Sequence, residues 1–151
     1  MKVVDVNVLL YAVNPDLDPH GKIRRWWEHA LAGDESIGLP WLVLSGFLRI
    51  STNPRVYAQP LTVDEALGQV EGWLSAEIVT TISEKPDHWG SFRKLLSEAG
   101  TAGNLTTDAH LAALAISHDA TLVSCDNDFA RFADLRWEKP DLGDQAVTGE
   151  A

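Results

Sequence analysis

Met1-Lys2-Val3-Val4-Asp5-Val6-Asn7-Val8-Leu9-Leu10 reads as a buried strand running straight into a helix, with an acid where the two meet. A short apolar run bounded by a polar residue is what a strand covered on both faces requires. The same arrangement returns downstream. Thr106-Thr107-Asp108 opens an apolar helix, and Leu122-Val123-Ser124-Cys125-Asp126-Asn127-Asp128 closes a second buried strand. Further strands are expected at 36–39 and 78–82, alternating with helices. That alternation predicts an α/β fold, a three-layer α/β/α sandwich whose central sheet is mostly parallel and joined by right-handed crossovers. In such open sheets a site lies beyond the carboxyl ends of the strands, where Asp5 and Asp126 both fall.

The helices are framed by caps and stops. Asn7 is expected to cap a short helix through Leu10-Tyr11-Ala12, which Asn14-Pro15 ends because the residue before proline disfavours helix. His20 to Ala32 carries Ile23, Trp26, Trp27, Ala30 and Leu31 at helical spacing, closed by Gly33. Pro40 at a first helical position starts 41–51, and Asn53-Pro54 terminates it. Thr62 with Glu65 forms a capping box for a helix through Trp73-Leu74. The pattern from Asp87 to Ala99 turns Trp89, Phe92, Leu95 and Leu96 inward. Thr107 to His118 is apolar on most sides and therefore central. A short helix at 129–132 and an edge strand at 135–137 complete the order.

A chain of 151 residues fits one domain with a core that needs no disulfide. The expected unit spans 1–140, with 141–151 a polar, aperiodic and flexible tail. The single cysteine, Cys125, excludes an intrachain disulfide and a cysteine zinc cage, and it reads as a packed small hydrophobe. With neither a signal-peptide pattern nor an apolar run of membrane-spanning length, the expected setting is soluble and cytoplasmic. The net charge of −10 weighs against broad electrostatic adhesion to nucleic acid. Local cations at Lys22-Ile23-Arg24-Arg25, Arg49 with Arg55, and Arg93-Lys94 remain available to a phosphate backbone, and the acidity also suits a basic protein partner.

The candidate chemistry lies in the acids. Asp5 at a strand end can be a local cap or a metal ligand, and Asn7 being better placed to cap favours the ligand. Asp108 in a first helical turn complements the helix dipole, and it gains a second reading only from its company. Of Asp126 and Asp128, one caps the short helix; Asp126, nearer the strand end, is taken as the ligand and Asp128 as cap, outer-shell group or second-metal ligand. Carboxylates brought together repel unless a cation joins them, and a hard ion such as Mg²⁺ takes oxygen ligands. His20, His29, His88, His110 and His118 lack a local metal spacing, and neither a nucleophile elbow nor a phosphate-binding glycine loop occurs. Trp26, Trp27, Trp41, Trp73 and Trp89 sit at apolar helical positions, which favours core or interface packing over base stacking.

Taken together, Val4 to Tyr11, Leu39 to Arg55, Leu105 to Ala115 and His118 to Phe132 resemble a PIN-domain protein, specifically a VapC-type toxin of a bacterial toxin-antitoxin pair. The resemblance implies RNA cleavage dependent on Mg²⁺ or Mn²⁺, a homodimer, and inhibition by a cognate VapB-type antitoxin. It carries the family's metal and catalytic acids onto Asp5, Asp108 and Asp126, with Asp128 nearby. Many relatives place a glutamate where this chain has Gly46. The leading expectation is thus a metal-dependent endoribonuclease leaving a 5′-phosphate and a 3′-hydroxyl. The alternative is a non-catalytic module whose acidic cleft accepts a basic antitoxin segment, and Gly46 is its main support. A phosphatase or phospho-receiver fits less well, because Asp5-Val6-Asn7 lacks the second aspartate.

Overall fold

A computed structural model describes residues 1–18 and 21–141. Five strands form one sheet in the order β3-β2-β1-β4-β5, every neighbouring pair parallel. They are β1 (Lys2–Val4), β2 (Ile37–Pro40), β3 (Val79–Ile82), β4 (Thr121–Val123) and β5 (Trp137–Glu138). The helices are α1 (Val6–Val13), α2 (Lys22–Leu31), α3 (Trp41–Ser51), α4 (Val63–Leu74), α5 (His88–Ala99) and α6 (Thr106–Ser117). Single 3₁₀ turns occupy Gly103–Leu105 and Asn127–Arg131.

The chain steps from β1 outward to β2 and β3, then returns past β2 and β1 to β4 and β5. With right-handed crossovers, that reversal puts α1 to α4 on one face and α5 and α6 on the other. The packing agrees: α1 lies against α2 and α3, α3 against α4, and α5 against α6. Val3, Val4, Leu39, Leu122 and Val123 are fully shielded in the three inner strands, so these strands are apolar without alternation, as a sheet covered twice demands. On α6, Ala109, Leu111, Ala112, Ala113, Leu114 and Ala115 are all buried, which makes it the central helix its composition predicts. Between α2, α3 and α4, Trp73 meets Trp27 edge-on at 5.7 Å and Phe47 at 4.8 Å, so Trp27 and Trp73, like the buried Trp26, are core aromatics.

Several local expectations change. Asp5, not Asn7, caps α1, because the helix begins at Val6 and the Asp5 side chain accepts its N–H. Pro40 closes β2 and serves as the cap of α3 rather than its first residue. α6 starts at Thr106 rather than Thr107, since a 3₁₀ turn feeds directly into it from Leu105. Trp41 and Trp89 are exposed, 56% and 67%, so they are not core residues. The capping box of Thr62 and Glu65 is present as read. Part of the helix expected from His20 lies outside the described residues, as does the tail beyond Asp141. In place of a local cap, Asp18 closes α2: its two oxygens accept the N–H groups of Ile23 and Arg24 at 3.0 and 2.8 Å.

Candidate metal centre

The reversal of strand order falls between β1 and β4, and the two strands end side by side with Val4 opposite Val123. A crevice opens beyond such a switch point, and the loops leaving both strands meet there. Asp5 leaves β1, Asp126 and Asp128 follow β4, and Asp108 stands in the first turn of α6. Asp108, Asp126 and Asp128 each bring a carboxylate oxygen within 4.8 Å of the others. Asp5 is a near neighbour: its charge acts on Asp108, and that of Asp126 acts on Asp5.

Asp5 is held by a small polar network. Its Oδ1 accepts the Val6 N–H at 2.7 Å, and its Oδ2 accepts the Ser124 hydroxyl at 2.7 Å and the Asn7 amide at 3.3 Å. Ser124 Oγ in turn accepts from Asn7 Nδ2 and from the Asp126 backbone N–H, both at 3.1 Å. Asn7 Oδ1 takes the N–H of Cys125 at 3.2 Å. The ends of β1 and β4 are therefore stitched together by Asn7 and Ser124. The sequence reading missed both roles. Ser124 carried a signal, being a hydroxyl at the end of a fully buried run, where a polar group is costly unless bonded.

Asp126 is the N-cap of the 3₁₀ turn, with Oδ1 accepting the Asp128 N–H at 2.9 Å. The cap assigned to Asp128 therefore belongs to Asp126, and Asp128 is the exposed member of the cluster. Capping occupies one oxygen and leaves the other free. Burial pushes the Asp108 carboxyl up to about 6, with repulsion from Asp126, Asp5 and Asp128 adding to it. Burial likewise raises Asp5, against the lowering by its Ser124 and Val6 bonds. Carboxylates crowded together repel one another, and a hard divalent cation among them would offset that repulsion. Cys125, half-buried beside this network, is pushed up to about 11 and stays a thiol.

Gly46 lies on α3 where it passes α1. A Cβ there would sit 3.5 Å from Val6 Cγ2, an ordinary contact, so the position next to the cap of α1 accepts a Cβ without a clash. Among the other cations, Arg24 pairs with Glu28 at 3.1 Å and Lys94 with Asp134 at 3.2 Å.

The PIN-domain family model matches residues 2–135. The chain belongs to the PIN-domain family. This PIN domain is similar to Ribonuclease VapC37 of Mycobacterium tuberculosis, 41% identical over 140 residues that cover 93% of this chain and 97% of that one. It is 44% identical to Ribonuclease VapC33 of the same organism, again over 140 residues, covering 93% and 98%. In fold it is similar to the VapBC2 structure from Rickettsia felis, with a TM-score of 0.67, 22% identity and coverage of 93% and 98%. No helix among the described residues of this PIN domain is long and apolar enough to cross a membrane.

Proposed function

We propose that this PIN domain is the ribonuclease toxin of a toxin-antitoxin pair, a single unit over 1–140 that works in the cytoplasm and hydrolyses RNA with Mg²⁺ or Mn²⁺. The observation that carries the reading is the convergence of Asp108, Asp126 and Asp128 within 4.8 Å from two separate elements, next to Asp5. The donor set fits a hard cation, being all carboxylate oxygen, partly open to solvent and charged beyond what the fold itself neutralises. Support for RNA as substrate comes from relatives at 41% and 44% identity that are named ribonucleases.

In this reading Asp108, Asp126 and Asp128 hold the ion, and Asp5 faces the same crevice with its orientation fixed by Val6, Asn7 and Ser124. A cation held by Asp108, Asp126 and Asp128 would supply activation of a water and compensation of charge on the scissile phosphate. Ser124 and Asn7 keep the loop after β4 at a fixed distance from the end of β1, so the acids do not drift apart as phosphate enters. Asp126 holds the 3₁₀ turn that presents Asp128. A cognate VapB-type antitoxin is a proposed partner by likeness to the VapBC2 assembly, and a second copy of the chain is the partner that the family resemblance implies.

The experiment is RNA cleavage by purified Asp126→Asn. Asparagine keeps the cap and removes the charge, so the fold is preserved while the cation loses a ligand. Cleavage should fall by at least about a hundredfold, as when a charge-stabilising group is removed from a transition state. Undiminished cleavage would remove Asp126 from the centre. Tight binding of a basic antitoxin peptide with no RNA turnover in the parent protein would instead favour the non-catalytic reading, to which Gly46 points.

A further inference from the structure

His110 is 22 or more residues beyond Glu84 and His88, yet each of the three offers a ligand atom within 4.8 Å of the other two. Glu84 follows β3, His88 opens α5, and His110 stands on the second turn of α6. His110 Nε2 already meets Glu84 Oε1 at 2.8 Å. The His88 and His110 rings are 4.7 Å apart, and Phe92 stacks on His110 at 5.3 Å, so packing fixes both imidazoles. His88 is the anomaly. Both of its ring nitrogens are shielded from solvent, and neither has a hydrogen-bond partner among the described residues. A buried imidazole normally bonds through at least one nitrogen, and a missing ion is one of the few things that explains an orphaned pair.

We propose that Glu84, His88 and His110 form a second metal site, suited to Zn²⁺ and distinct in chemistry from the all-carboxylate centre. Two imidazoles and one carboxylate are a borderline donor set that selects Zn²⁺ over Mg²⁺, whereas the aspartates select the reverse. A tetrahedral ion with bonds of about 2.0–2.2 Å spaces its ligands roughly 3.3 Å apart. Glu84 and His110 then need to separate by only about half an ångström from their 2.8 Å contact. Glu84 is on the solvent side, which leaves the fourth position to water. The ion would tie the loop after β3 to α5 and α6. Because His110 lies two residues beyond Asp108, it would also fix the start of the helix that carries an acid of the first centre.

The test is a Zn²⁺ titration of the full chain by calorimetry and by thermal melting, with excess Mg²⁺ present to occupy the aspartates. One saturable equivalent and a raised Tm are expected. His88→Phe keeps an aromatic ring among its neighbours, and Glu84→Gln changes an exposed side chain whose loss does not threaten folding. Each should weaken zinc by at least about tenfold and abolish the Tm shift, while Asp126→Asn leaves both unchanged. Absence of saturable binding in the parent chain, unchanged affinity in either variant, or loss of binding in Asp126→Asn would overturn the site. None of these outcomes depends on RNA cleavage, so the nuclease reading stands or falls separately.

Discussion

Two aspartates of the crevice are held by their own bonds, Asp5 by Val6, Asn7 and Ser124, and Asp126 by the Asp128 N–H. Asp5 was expected to be free because Asn7 looked like the better cap; instead Asp5 caps α1, and Asn7 reaches across to Ser124 and the N–H of Cys125. A residue's partners across the sheet are invisible in its local sequence, which is why the identity of the acids was legible and their bonding was not. Ser124→Ala deletes a donor to Asp5 and an acceptor for the Asp126 N–H, so it should cost about 1–3 kcal/mol by denaturant unfolding. The raised Asp108 carboxyl gives a pH prediction. An acid whose folded pKa is raised destabilises the fold when charged, so this contribution to the metal-free protein improves as pH falls from above about 6 toward the usual 3.8. Metal binding runs the other way. Protons compete for the same oxygens, and Mn²⁺ affinity should drop with each step below pH about 6, measured by calorimetry. Gly46→Glu restores an acid where the contact to Val6 leaves room, and it should tighten Mn²⁺ binding while adding up to about 1 kcal/mol of helix stability. Unchanged Mn²⁺ affinity in that variant would place residue 46 outside the centre.

At the scale of elements, caps and apolar periodicity carried most of the information. The capping box of Thr62 and Glu65, the β-branched run of β3 and the all-round apolar α6 were readable because each is set by nearest neighbours along the chain. The start of α2 was not, because its cap, Asp18, lies before the turn at Gly21 and reaches forward to Ile23 and Arg24. Asp18 is 3% exposed, so Asp18→Ala leaves a buried side-chain position empty and strands two part-buried N–H groups. A loss of about 2 kcal/mol in chemical denaturation is expected. Helical spacing also puts Trp89 inward with Leu95, but Leu95 alone is buried on α5, which packs against α6, and Trp89 is exposed. Periodicity marks the apolar face of a helix without telling how much of that face a neighbour covers.

For the whole molecule, the order β3-β2-β1-β4-β5 creates the centre. The chain reverses between β1 and β4, and the acids that end those strands become neighbours although Asp5 and Asp126 are distant in sequence. The fold class and this meeting of strand ends followed from alternation and the right-handed rule. The meeting of His88 with His110 did not, since it depends on how α5 lies against α6, which no local spacing encodes. The ribonuclease proposal requires that Asp108, Asp126 and Asp128 share one divalent ion beside Asp5. Crystals soaked in Mn²⁺ and measured at the manganese absorption edge test it most directly. An anomalous peak among those three carboxylates is the predicted result, and a fully soaked crystal with no manganese there would contradict it.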